Sequence, residues 1–154
     1  MDKQKIETSL KEIALSRSTP FCYNDYIKCP TGRCPQCGSD DLMRITEDDG
    51  PEYGTEWIIK AVLSAELDAV DLEVAFEELI RESHPDDVKV GWMSFDPVAI
   101  MKEMDPVGWR CALAEWESEE ESEENILSFD GGSTYYHHHD LENFIEEALK
   151  APAA

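Results

Sequence analysis

Residues 28–45 read KCPTGRCPQCGSDDLMRI, and this stretch decides how the first third of the chain can fold. It places three of the protein's five cysteines within nine residues. Cys34-Pro35-Gln36-Cys37-Gly38 has the tight spacing at which two thiolates on one turn can face a single ion. The following glycine permits the backbone path that turns amides toward the sulfurs. Cys29 lies five residues before Cys34, and Cys22 seven before Cys29, so four cysteines fall within sixteen residues. A tetrahedral set of four sulfurs favours zinc in a reducing cell. In a segment with little apolar content, chelation supplies folding energy. Four cysteine ligands also leave no open coordination position for chemistry. The pattern therefore predicts a structural zinc site at Cys22, Cys29, Cys34 and Cys37, with His84 or one of His137–His139 as rivals to Cys22 for the last place.

The CPxCG turn resembles a zinc-ribbon knuckle over residues 28–39, which implies a structural metal. A zinc ribbon supplies a second C-x2-C pair, whereas the spacing here is C-x6-C-x4-C-x2-C and contains no second pair of that kind. A redox pair is the rival reading. It needs a strand before the cysteines and a helix directly after them, whose dipole lowers the thiol pKa. Gly38-Ser39-Asp40-Asp41 follows instead, a loop whose acids favour the protonated thiol.

Upstream of the knuckle, Ile6, Leu10, Ile13 and Ala14 recur at helical spacing and predict an amphipathic helix over 3–16. "FCYNDYIKC" reads as short extended pieces around an Asn24-Asp25 turn. Downstream, "DLMRI" is a short strand and "TEDDGPEYG" a loop. Thr55 caps a helix carrying Trp57, Ile58, Ala61, Val62 and Ala65, and a second helix starts near Asp71, the two forming an αα-hairpin. "VKVGWMSF" alternates as one strand with Val88, Val90 and Trp92 on a common face. Asp96-Pro97 and Asp105-Pro106 are both helix starts, aspartate capping and proline at the first helical position. The second of these helices is expected to reach about Trp116 and to bury Val107, Trp109, Leu113 and Trp116, with Cys111 as a small buried apolar residue. "ILSFDGGSTYYHHH" reads as a hairpin that puts His137 and His139 on one strand face, and Asp140 caps a last helix. The whole is an α+β fold, a small antiparallel sheet flanked by helices with an N-terminal metal-knuckle segment.

Charge divides the chain. Residues 1–45 hold seven basic and six acidic residues, whereas 46–154 hold six basic and twenty-nine acidic ones, within a total of -22. This predicts two regions, a near-neutral helix and knuckle at 1–45 and an acidic α+β body at 46–154, that together form one compact unit. So negative a body repels nucleic-acid backbones and anionic membranes and attracts basic partners. No run approaches a membrane span. The amphipathic start has no apolar export core, and with five cysteines, an odd number, it gives a cytoplasmic expectation.

No nucleophile elbow, phosphate loop or H-E-x-x-H motif is present. The expected function is therefore non-enzymatic, a regulator or inhibitor that binds a basic protein partner, with zinc holding its N-terminal segment. Three alternatives are weighed against it. One is a nucleic-acid mimic that blocks a DNA-binding protein, its charge concentrated in the acidic run Glu115–Glu124. Another is direct nucleic-acid binding through the knuckle, for which Lys28, Arg33 and Arg44 give only a small basic footprint. The last is a metal-dependent enzyme built on His137 and His139.

Overall fold

A computed structural model describes residues 1–150. In chain order the elements are α1 (Lys3–Ser16), β1 (Thr19–Cys22), β2 (Ile27–Lys28), β3 (Met43–Ile45), α2 (Glu56–Glu66), α3 (Leu72–Ser83), β4 (Val88–Val90), β5 (Met93–Phe95), α4 (Pro97–Met104), α5 (Pro106–Ser122), β6 (Ile126–Leu127), β7 (Tyr136–His137) and α6 (His138–Lys150). The class is α+β with small antiparallel sheets and flanking helices, as the sequence predicts. Two compact units form among the described residues, one from residues 1–69 with 127–150 and one from 70–126. The change in charge near residue 45 falls inside the first unit, because packing follows apolar faces and not net charge.

In unit 1, Asp2 caps α1 by accepting from the Lys5 N–H at 2.8 Å. The buried stripe Ile6, Leu10, Ile13 of α1 meets Leu63 of α2 and Leu141, Phe144 and Ile145 of α6 in one core. Burying such side chains stabilises by about 1.5–3 kcal/mol each relative to exposure. The three-stranded sheet has the order β2-β1-β3, with β1 antiparallel to both neighbours. Arg44 on β3 ties this sheet to α1. Its Nε donates to Ser18 Oγ at 2.7 Å, and Nη2 donates to the Leu15 and Ser18 carbonyls at 3.2 and 3.1 Å. Carbonyls at a helix C-terminus lack intrahelical partners, and this guanidinium supplies one for Leu15. Gly50 passes close to the same strand at φ +112, and a Cβ there would lie 3.0 Å from the Arg44 carbonyl oxygen. Only glycine fits that approach.

In unit 2, Asp71 and Asp105 cap α3 and α5 by accepting from the Val74 and Gly108 N–H groups at 3.2 and 2.9 Å. Phe76, Val98 and Trp109 form its core, with Ile80, Leu113 and Trp116 packed around them. The Phe76 ring lies 5.1 Å from Trp109 and 5.3 Å from Trp116, so both tryptophans pack on one phenylalanine.

Several expectations need correction. The helices at 56 and 72 do not belong to one αα-hairpin: α2 packs on α1 in unit 1, and α3 packs on α4 and α5 in unit 2. "VKVGWMSF" is not one strand but a hairpin, Val88↔Phe95 to Val90↔Met93, turning at Gly91-Trp92. Gly91 at φ +65 supplies the left-handed residue of a two-residue turn. Val88, Val90 and Trp92 are all exposed, Trp92 at 96%. The helix from Pro106 runs to Ser122, through much of the acidic run, and Val107 and Cys111 on it are exposed. His138 opens α6, so the triple histidine is divided between strand and helix, and Asp140 lies in the first turn of that helix. No helix among the described residues is long and apolar enough to cross a membrane.

Candidate metal centre

Two loops of unit 1 build the site. The β1–β2 register, Cys22↔Ile27, leaves Tyr23–Tyr26 as the connecting loop, and this brings Asp25 back against Cys22. Asn and Asp favour such turns because their short side chains bond locally. Tyr26 follows at φ +54, a left-handed position unusual for an aromatic residue. Its ring is held edge-on against Phe21 at 5.0 Å. The second loop is the knuckle. The Gly38 N–H donates to the Cys34 carbonyl at 2.9 Å, the Cys37 N–H donates to Cys34 Sγ at 3.5 Å, and Gly38 has φ +72.

The two loops share one layout. Cys34-x2-Cys37 precedes a left-handed Gly38, and Cys22-x2-Asp25 precedes a left-handed Tyr26. The second tight pair absent from the cysteine pattern is present as a cysteine and an aspartate. The ligand atoms of Cys22, Asp25, Cys34 and Cys37 all lie within 4.8 Å of one another, and no other set of three or more His, Cys, Asp or Glu side chains closes this way among the described residues. Cys22 Sγ and Cys37 Sγ are 3.7 Å apart. Tetrahedral zinc–sulfur bonds of 2.3 Å separate two sulfurs by about 3.8 Å, so this pair already has the required span. The Asp25 carboxylate accepts from Cys34 Sγ at 3.1 Å and Cys22 Sγ at 3.7 Å.

Hydrogen bonds from the Cys34 and Cys37 thiols hold the Asp25 carboxyl below the usual range. The Cys37 backbone N–H draws the Cys34 thiol down. Beside Cys37, the Ser39 N–H favours the thiolate, but Asp25 and Cys34 outweigh it and push the thiol up to about 12. A divalent cation would bind these groups in their deprotonated forms.

Of the sequence-predicted ligands, the structure brings Cys22, Cys34 and Cys37 into the group. Cys29 is buried beside Cys22 and Cys34, with Ile27 and Leu42 against it, but lies outside the group. Its thiol donates to the Ile27 carbonyl at 3.5 Å, and burial pushes its pKa up. Asp25 escaped the cysteine count. Its signal was available as C-x2-D, the spacing of the knuckle with an oxygen ligand in place of sulfur. The histidines lie elsewhere: His84 is the C-cap of α3, and the His137 and His139 rings stack on each other at 5.5 Å, with His139 Nε2 3.1 Å from Asp140. Of the three bases near the knuckle, Arg44 is engaged by Leu15 and Ser18, which leaves Lys28 and Arg33 at exposed positions.

Comparison with models of known families, with curated proteins and with solved structures gave no match.

Proposed function

We propose that the N-terminal cluster is a structural zinc centre and that the protein is a non-enzymatic binder of a basic protein partner, a regulator or inhibitor. The 3.7 Å span between Cys22 and Cys37, inside a four-residue group of three sulfurs and a carboxylate, carries the metal reading. Cys22, Cys34 and Cys37 supply three thiolates and Asp25 the fourth ligand. Zinc accepts both donor types and prefers four-coordinate closure in structural sites. The ion would clamp the β1–β2 loop to the knuckle, in a segment whose own buried cluster is mainly cysteine. Cys29 is the second candidate for the fourth place, favoured by its burial beside Cys34.

The partner reading rests on charge. Residues 70–126 contain seventeen acids and four bases, and the acidic run through Ser122 lies on helix α5 and not on a loose loop. A rigid negative surface steers cationic partners and raises their association rate. The same helical array of carboxylates keeps the nucleic-acid mimic as the second reading. Elemental analysis of purified protein tests the metal: one zinc per chain is expected, and none after purification in zinc-replete medium overturns it. Capture of basic proteins across a salt series tests the partner. Capture that persists at moderate salt and is displaced by DNA would favour mimicry, and absence of capture at any salt overturns the binding reading.

A further inference from the structure

Unit 2 covers little of its own apolar surface. Between α3, α4 and α5 runs a groove of about 370 Å³ walled by Phe76, Ile80, Ile100, Met101, Met104 and Trp109. Met104 is 80% exposed and Met101 37%, although both belong to a wall that is almost wholly apolar. Methionine is the side chain best able to reshape around an incoming apolar surface. Among the described residues, one buried side-chain nitrogen or oxygen has no hydrogen-bond partner, and it is Nε1 of Trp109 on this wall.

The groove opens onto negative charge. The α5 stripe along it, Asp105, Gly108 and Ala112, continues at the next turns as Glu115 and Glu119, both exposed. Two of the unit's four basic side chains are already neutralised. Lys102 pairs with Glu73 and Glu77, and Arg81 pairs with Asp96 at 2.9 Å. An occupant must therefore bring apolar side chains for the floor and cations for the rim.

We propose that this groove receives a basic amphipathic helix from the partner protein. A helix satisfies its own backbone hydrogen bonds, which suits a wall of apolar side chains. An extended strand would need backbone partners that such a wall lacks. Apolar residues at i, i+3, i+4 and i+7 enter the groove, while flanking lysines and arginines meet Glu115, Glu119 and their neighbours. A second copy of this chain, at net charge -22, is a poor occupant. The inference rests on the reading that the partner is a basic protein, and it adds the surface and the secondary structure recognised.

The test uses the zinc-loaded full chain and a fluorescent peptide of roughly 18 residues, leucine at the apolar positions and lysine elsewhere, beside a scrambled peptide of identical composition. Anisotropy titrations run at about 0.15 M salt. The amphipathic peptide is expected to bind at least about tenfold tighter than the scrambled one. Met104→Glu, at an exposed position that folding does not require buried, should remove that advantage, while Trp92→Ala on the β4–β5 hairpin should leave it intact. Equal binding of both peptides overturns the groove but leaves a charge-driven partner standing. Binding of neither peptide overturns both readings. Loss on Trp92→Ala with Met104→Glu unaffected moves the surface to the hairpin and overturns the groove. Sedimentation that shows a dimer dissociated by Met104→Glu assigns the groove to a second copy and overturns the helix.

Discussion

Replacing Asp25 separates the two ligand sets. Asp25 Oδ2 lies 3.1 Å from Cys34 Sγ and 3.7 Å from Cys22 Sγ, inside the group, whereas Cys29 lies outside it. Spread over four ligands, the zinc-binding free energy of small structural sites leaves roughly a hundred- to thousandfold in affinity per ligand. Asp25→Asn removes the charge and most of the donor strength at nearly constant shape, so zinc affinity should fall by about two orders of magnitude. Loss of an outer hydrogen-bonding partner would cost only about 10–100-fold, so the size alone does not decide, and two further variants do. Asp25→Cys should restore binding, because it converts the β1–β2 loop into a true C-x2-C pair. Cys29→Ser should cost no more than about tenfold, the low end for an outer residue, because Cys29 lies outside the ligand group and its thiol donates to the Ile27 carbonyl. The assay is competition against a chromophoric chelator, with cobalt substitution reporting three thiolates and not four. Stability follows affinity: with free zinc at about a thousand times Kd the ion contributes about 4 kcal/mol, and a hundredfold loss removes more than half of that. If Asp25→Asn binds zinc within threefold of wild type while Cys29→Ser abolishes binding, the ion is held by four cysteines and the two-loop reasoning fails.

Three further outcomes follow from the structure. Cys37 and Cys111 are the exposed cysteines, so a thiol reagent should modify Cys111 alone when zinc is bound and add Cys37 once a chelator is present. Two fast thiols in the zinc-loaded protein would show that Cys37 is not a ligand. Arg44→Ala strips the Leu15 carbonyl and both Ser18 oxygens of one donor each, which should cost about 2 kcal/mol. Thermal melting should report it as a fall of several degrees, and an unchanged Tm would mean that the sheet does not depend on this tie. The third concerns pH. The Arg81 guanidinium holds the Asp96 carboxyl below its ordinary range. A depressed carboxyl contributes stability that is present above its unfolded value, near 3.9, and is lost as pH falls through the lower folded value. Acidification from neutrality to about pH 5 should first raise Tm, as mutual repulsion among the thirty-five acids eases, and Tm should drop only below about pH 4. Asp96→Asn should blunt that drop; an identical pH profile would show that the pair is screened into irrelevance, as exposed pairs often are.

How legible the site and fold were depends on which interactions are local. Capping is local, so Asp71 and Asp105 mark the starts of α3 and α5 in the sequence itself, and Asp96-Pro97 fixes one more, that of α4. The turn at Gly91-Trp92 was also written locally, as glycine between two apolar runs, but the alternation of Val88, Val90 and Trp92 masked it. Cys111 and Val107 were misread for a different reason. Helical spacing gives the angle between side chains and not which angle faces the core, and the α5 core side is set by where Phe76 stands. Asp25 was hidden among thirty-five acids, where no single carboxylate can be singled out by composition.

By itself the sequence determined the helices, the Asp71 and Asp105 caps, the α+β class and three of the four residues grouped in the candidate metal cluster. These rest on interactions within a few residues of chain, a cap, a knuckle turn or one turn of helix. Only the tertiary structure decided that Cys22-x2-Asp25 forms a second loop facing the knuckle, that Arg44 binds the end of α1, and that α2 and α3 serve different cores. Each of these pairs residues whose separation in space is set by strand register or by packing of apolar faces, and neither quantity is encoded at a fixed spacing along the chain.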